Sequence, residues 1–213
     1  MKTFIQIILA IAIVILGYLL VESIMNPIRF NRERVKREKA TISRLEDIRT
    51  AQIAFKAEKG RYTGSFDTLI SFVKNDSFSV VKSIGSIPDS LYDALGPRRA
   101  EIEALRKGLI TRDTIKVAVL DSLFDIGYPI DSLRYVPFTG GKEFFLGRNV
   151  IETASGVKVD VFEAHVLNDV LLKGLDPQLI INYNEDRLKI TDFPGLRLGS
   201  LKEATNNAGN WEK

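Results

Sequence analysis

From Phe4 to Met25 the chain reads FIQIILAIAIVILGYLLVESIM, 22 residues of which only Gln6, Glu22 and Ser23 are distinctly polar. As a helix rising about 1.5 Å per residue, this run is about 33 Å long and matches the hydrocarbon thickness of a bilayer. It has no polar face to turn towards water. A cleaved secretory signal has a shorter apolar stretch, about 7–15 residues, followed by an A-x-A-like site. No such site follows Met25, so residues 1–25 are expected to form an uncleaved transmembrane anchor. Gln6 and Glu22 lie near its two ends, where Glu22 can reach the headgroups rather than act as a buried functional carboxylate.

Past Pro27 the character changes abruptly. Between Asn31 and Thr41, seven of eleven residues are charged, which reads as a solvated helix surface. Glu33 with Arg37 forms a well-oriented i,i+4 pair and Arg34 with Glu38 a reversed one. Apolar spacing returns at Ile42, Leu45, Ile48, Gln52 and Phe55, close to a 3.5-residue stripe with Ala51 and Ala54 beside it. Fewer than three clean heptads are present, so the stripe is expected to pack on the chain's own domain rather than in a coiled coil. Lys56 and Lys59 suit the negative end of a helix dipole, and Gly60 suits a C-terminal cap. This amphipathic helix is expected over residues 26–60, and a soluble fragment is expected to start near Thr41.

Charge is unevenly spread. Residues 1–60 hold 11 Lys and Arg against 6 Asp and Glu, whereas residues 61–213 hold 19 against 21. The basic surplus therefore adjoins the apolar run instead of covering a folded face, which argues against nucleic-acid binding. Arg29, Arg32, Arg34, Lys36, Arg37 and Lys39 are expected to contact lipid headgroups.

Ile48 to Phe72 reads IRTAQIAFKAEKGRYTGSFDTLISF. With the apolar helix from Phe4, the proline at its far end and the basic continuation, this segment resembles the N-terminal region of type IV pilins and type II secretion pseudopilins. The matching elements are Gln52, Ala54, Phe55, the Gly60-Arg61-Tyr62 turn, and Ser65 as N-cap of a small helix from Phe66 to Val73. Two features depart from the family. Thr3 stands where prepilins carry the glycine before the cleavage point, and Ile8 occupies the fifth mature position, where the family has an assembly glutamate. An unprocessed, pilin-like membrane protein is the corresponding expectation. It implies an α+β fold in which the long N-terminal helix packs on an antiparallel sheet.

Orientation is pulled in two directions. The cluster from Arg29 to Lys39 outweighs Lys2 and the α-amino group on the other side, which places the bulk of the chain in the cytoplasm. The resemblance implies export, with a single span in the bacterial inner membrane and the bulk of the chain periplasmic. It also implies a non-enzymatic assembly component whose partners are the bilayer and other envelope proteins, copies of itself included. The cytoplasmic orientation implies instead a membrane-tethered binding module with a lipid-contacting basic helix.

Residues 61–90 read as a short helix and connector, with Asn75–Ser90 as the boundary, and residues 91–213 as a mixed domain. A helix is expected over Pro97–Lys107, stopped by Gly108, and a strand over Thr114–Leu120. Three hairpins are expected: Leu133–Phe138 with Glu143–Leu146, Ile151–Thr153 with Val157–Phe162, and Leu179–Tyr183 with Arg187–Thr191. In the second, Val157, Val159 and Val161 are the expected inward face. Val166–Lys173 is expected to be a short helix.

Little of this invites catalysis. The chain has no cysteine and one histidine, His165, which excludes thiol chemistry and multi-histidine metal centres. Glu163 and Asp169 flank His165, but no second histidine exists to complete a site. Thr139 to Lys142 (TGGK) lacks phosphate-loop spacing and reads as a turn. Asn182, Asn184 and Asp186 offer oxygens at alternate positions without the glycine and distal glutamate of a calcium loop. No catalytic, cofactor-binding or metal residues, and no cofactor, are expected. Arg98 and Arg99 read as solvated residues at a helix start. The tail from Gly199 to Lys213 matches no chemical motif.

Overall fold

The structure is a computed structural model that describes residues 2–212, with the backbone alone for Lys2, Val80, Val81, Lys82 and Thr114. In chain order the elements are α1 (Lys2–Lys59), α2 (Phe66–Asn75), β1 (Ser77–Gly85), α3 (Asp89–Leu95), α4 (Pro97–Arg106), β2 (Ile110–Ala118) and α5 (Val119–Leu123). A 3-10 turn (Ile130–Arg134) then precedes β3 (Phe145–Glu152), β4 (Lys158–Leu167), α6 (Asn168–Leu171), α7 (Pro177–Thr191) and β5 (Gly195–Gly199). The fold is thus mixed helix and antiparallel sheet. It divides into two compact units, Met1–Phe66 with Asp131–Lys213, and Asp67–Ile130.

In the first unit, α1 runs unbroken for 58 residues, with Pro27 inside it. Pro27 cannot donate to the Ser23 carbonyl, so the helical hydrogen bonding is weakest where the apolar run gives way to the charged tract. The helix ends as expected at Gly60, whose φ of 73° is open to glycine at no steric cost. Its N–H reaches the Lys56 carbonyl at 2.8 Å. The later part of α1 packs on the sheet β3-β4-β5, all of whose pairs are antiparallel. Leu45, Ile48 and Phe55 of the helix and Phe162, Ala164, Val166, Leu196 and Leu198 of the strands are all buried.

The hairpin β3–β4 turns at Thr153–Val157, as its sequence predicts. Its main core row is the other one, however, although Val161 of the expected face is buried as well. The Phe162 ring packs against that of Tyr62, just past α1, with centroids 4.8 Å apart and planes tilted by 57°, and Asp160 accepts a hydrogen bond from the Tyr62 N–H. Phe162, Ala164 and Val166 therefore form the core row, while Val157 is 57% exposed. A strand with apolar residues on both parities leaves its facing undecided until a partner claims one side.

Leu179–Tyr183 and Arg187–Thr191 are not a hairpin; both lie within α7. Asp176 accepts from the N–H groups of Gln178 and Leu179 and Pro177 opens the first turn, a strong N-terminal signature. Buried Ile180 and Thr191 and half-buried Tyr183, Asn184 and Arg187 share one face at helical spacing. The Asn184-Glu185-Asp186 sequence sits mid-helix rather than at a turn. The first expected hairpin forms only a single bridge, Tyr135 to Glu143, with β3 starting at Phe145. The helix expected from Val166 begins at Asn168, because β4 extends to Leu167.

In the second unit, β1 and β2 pair over nine residues, from Ser77↔Ala118 to Gly85↔Ile110. Ser77–Gly85, expected within a connector, is therefore strand. Its serines, Ser77, Ser79 and Ser83, alternate with Phe78, Val80 and Ile84, and that alternation outweighs a loop-like composition. The strand expected at Thr114–Leu120 starts at Ile110 and gives way at Val119 to α5. Helix α4 matches its expected span. Pro97 stands in the first turn and Gly108, at φ 70°, follows the last, while Ala100 and Ala104 are buried.

Candidate functional site along the first helix

The stripe Leu45, Ile48, Gln52 and Phe55 is brought together inside the first unit, with exposures of 0, 0, 0 and 5%. Gln52 is there for polar reasons. Its Nε2 donates to the Thr63 carbonyl at 2.6 Å and its Oε1 accepts from the Thr63 N–H at 3.1 Å. The side-chain amide thereby substitutes for a strand neighbour and fastens the turn after Gly60 to the helix. Nearby, Asp160 receives Arg148 Nε at 2.7 Å.

The basic tract divides into two sets. Arg34 and Arg37 turn to the protein. Arg34 Nη1 reaches Glu38 at 2.8 Å and the Tyr183 hydroxyl at 3.0 Å, and that hydroxyl donates to Glu38 Oε1 at 2.6 Å. Burial, reinforced by the Glu38 carboxylate, raises the Tyr183 pKa above its ordinary value. Arg37 pairs with Glu33 at 3.0 Å and donates to the carbonyls of Leu171 and Lys173, each at 3.1 Å. The region expected to be a solvated surface is therefore, on this face, a polar seam with α7 and the segment before it. Both sequence-predicted helix pairs, Glu33 with Arg37 and Arg34 with Glu38, are present. Arg29, Arg32, Lys36 and Lys39 remain exposed. Arg29 reaches back to Glu22 at 3.0 Å, and Lys36 lies over the Phe138 ring at 5.2 Å.

The apolar run is long and apolar enough to cross a membrane, and none of its most apolar window is buried in the protein. That is compatible with a membrane anchor.

The other candidates resolve into local structure. His165 Nδ1 lies 2.7 Å from Glu163 Oε1, and the ring stacks on Phe145 at 4.5 Å with Phe193 at its edge. Burial works against the Glu163 charge, but hydrogen bonds from His165 and the Leu201 N–H outweigh it and hold the pKa below the usual carboxylate value. Thr139–Lys142 is a turn closed by Val136 N–H on the Lys142 carbonyl at 2.8 Å. Asn182, Asn184 and Asp186 cannot converge on an ion, since alternate residues of a helix point apart. They bond instead to Gln178, to Asn168 and Asp169, and to Lys189. Among the described residues no group of three or more His, Cys, Asp or Glu is placed to hold a metal ion. Arg98 and Arg99 are exposed at the start of α4.

The tail, silent in sequence, has a clear structural part. Gly199 N–H bonds the Ala208 carbonyl, Asn210 N–H bonds the Arg197 carbonyl, and the Asn210 side chain accepts from Arg197 N–H and donates to the Gly195 carbonyl. These bonds close the open edge of β5. Glu212 meets Arg49 of α1 at 2.6 Å, and Asn207 donates to the Tyr62 hydroxyl at 2.8 Å. The repeated asparagines of Asn206, Asn207 and Asn210 were the available signal: Asn206 and Asn207 adopt positive φ, which asparagine tolerates better than most residues. Compared with protein-family models, with curated proteins and with solved structures, the chain matches none of them.

Proposed function

We propose that this protein is a single-pass membrane protein of the bacterial envelope, resembling pilins and pseudopilins, that works by contact within a multiprotein complex rather than by catalysis. One observation carries this reading: a single helix presents an uncovered apolar third at one end and the core stripe of a folded unit at the other. Such a helix couples a domain stiffly to the bilayer, so forces and positions in the membrane reach the domain without a flexible linker. The burial of Leu45, Ile48, Gln52 and Phe55 against the sheet supports the pilin-like arrangement. In this reading the bulk of the chain is periplasmic and its partners are other envelope proteins or further copies of itself.

A second reading has its own support. Arg29, Arg32, Lys36 and Lys39 stay on the surface next to the apolar run, as a module tethered on the cytoplasmic side would need for lipid contact. Protease treatment of intact spheroplasts separates the two. Digestion of everything beyond about Asn26 supports the periplasmic component, and full protection until lysis supports the cytoplasmic module.

A further inference from the structure

Where the apolar run ends, the folded unit comes down to meet the helix. Asn26, the residue after Met25, donates from Nδ2 to Asp176 Oδ2 at 2.8 Å. Beside this bond lies a cleft of about 430 Å³, lined by Arg29, Arg32 and Glu33 of α1 and by Gly174, Leu175 and Asp176 of the turn before α7. If α1 is the anchor, this cleft opens at the level of the lipid phosphates, within two turns of the hydrocarbon boundary.

Its charges are balanced, two cations against two anions, and they are unequally satisfied. Glu33 is paired with Arg37 at 3.0 Å and Lys36 at 3.9 Å. Asp176 accepts from Asn26 and from the N–H groups of Gln178 and Leu179. Arg32 has no hydrogen bond or ion pair among the described residues, and Arg29 reaches only back to Glu22. An occupant must therefore bring an acceptor for the arginines. Each carboxylate still keeps lone pairs for a further donor, so a group that carries a hydrogen-bonding cation beside its anion uses both sides of the cleft, whereas a purely anionic group engages only the arginines. A quaternary ammonium has no N–H to give a carboxylate, but a primary ammonium has three.

We propose that this cleft seats the headgroup of a zwitterionic phospholipid with a primary ammonium, the phosphatidylethanolamine class, its phosphate on Arg29 and Arg32 and its ammonium on Glu33 and Asp176. The proposal rests on the anchor reading and goes beyond it, because basic residues alone select for anionic lipid. It makes the cleft a register mark that fixes how far the folded unit stands from the bilayer.

The test uses the full-length chain in vesicles containing equal parts of phosphatidylethanolamine, phosphatidylglycerol and phosphatidylcholine. Flotation is measured first, and then the lipid retained after mild detergent extraction is weighed by native mass spectrometry. The expected result is retention of phosphatidylethanolamine over each of the others by about tenfold or more, the scale of one hydrogen bond to a charged group. Arg32→Gln is expected to lower retention of all three lipids, Glu33→Gln to move the preference towards phosphatidylglycerol, and Lys158→Gln, on an exposed side chain of β4, to change nothing. Each variant is accepted only with an unchanged melting temperature of the folded unit; Arg32→Met, which keeps the apolar stem without the charge, serves if Arg32→Gln melts early. Equal retention by the unaltered chain, or preference for phosphatidylglycerol, overturns the proposal while leaving the anchor intact. Equally strong binding of soluble glycerophosphoethanolamine in lipid-free micelles overturns the membrane lipid as the occupant. Failure to float with any vesicle overturns the anchor and the proposal with it.

Discussion

Gln52 and Thr63, eleven residues apart, are joined by two hydrogen bonds in which one side-chain amide satisfies both backbone groups of a buried residue. Gln52→Leu keeps nearly the same volume but leaves the Thr63 N–H and C=O without partners. The expected loss is about 2–4 kcal/mol in urea unfolding of a fragment starting at Pro27. Gln52→Glu is expected to cost at least as much, since an oxygen then faces the Thr63 carbonyl and a charge is buried. A loss below about 0.5 kcal/mol for both would show that the turn is held by something else.

Phe55 and Lys36 test the two faces of α1. Phe55→Asp places a carboxylate at a 5% exposed position and is expected to cost about 3 kcal/mol or more. Lys36→Glu, on an exposed side chain, is expected to change stability by about 0.5 kcal/mol or less. Arg34→Glu separates from Lys36→Glu, because Arg34 bonds Glu38 and Tyr183 rather than water. Thermal unfolding of the same fragment measures all three.

The same seam sets where a soluble fragment can begin. A start at Thr41 discards Arg34, Arg37 and Glu38 and leaves the Tyr183 hydroxyl without its carboxylate. A start at Pro27 keeps all of them. Side-by-side melting of the two fragments is expected to show the longer one more stable, and equal melting temperatures would mean that the seam adds nothing.

Tyr183 also predicts an alkaline limb. Its folded pKa is raised by burial and by the Glu38 carboxylate, so the folded state favours the neutral phenol. That contribution is fully present below the unfolded value, about 10, and is lost as pH rises through the folded one. Tyr183→Phe should flatten the loss of stability in that window relative to the unaltered chain, as measured by urea unfolding from pH 8 to 11.

Glu163 predicts the opposite limb. Its folded pKa is lowered by the bonds from His165 and the Leu201 N–H, despite burial. Its contribution is present above the unfolded value, about 4.3, and disappears as pH falls through the folded one. Glu163→Gln should therefore lower stability at neutral pH and narrow its gap to the unaltered chain as the medium is acidified, followed by urea unfolding between pH 7 and 3.

Local signals in the sequence located α1, its end at Gly60, α4 and the β3–β4 turn, because in each case the deciding residues lie within one or two turns of chain. They failed where a distant partner decides. The facing of β4 depends on Tyr62, about 100 residues earlier. Helix α7 is signalled by Asp176-Pro177, yet the polar run Asn184-Glu185-Asp186 has the composition of a turn. Of the proposed site, the stripe could be read from spacing. The amide clamp of Gln52 and the split of the arginines could not, since Thr63, Tyr183 and the Lys173 carbonyl meet them only in the fold.

The tail's closure of the β5 edge also dictates an order of events during synthesis. Arg49 finds Glu212 across 163 residues of chain, and the stripe on α1 has no complete sheet to cover it until Leu198 has been made. At about 5–20 residues per second, translation leaves Leu45, Ile48 and Phe55 uncovered for roughly 7–30 s after they emerge. The apolar run is available for membrane insertion throughout that interval. If the apolar run is an anchor, the folded unit is completed on a chain already held at the bilayer, and a chaperone that shields the stripe would act at the membrane surface.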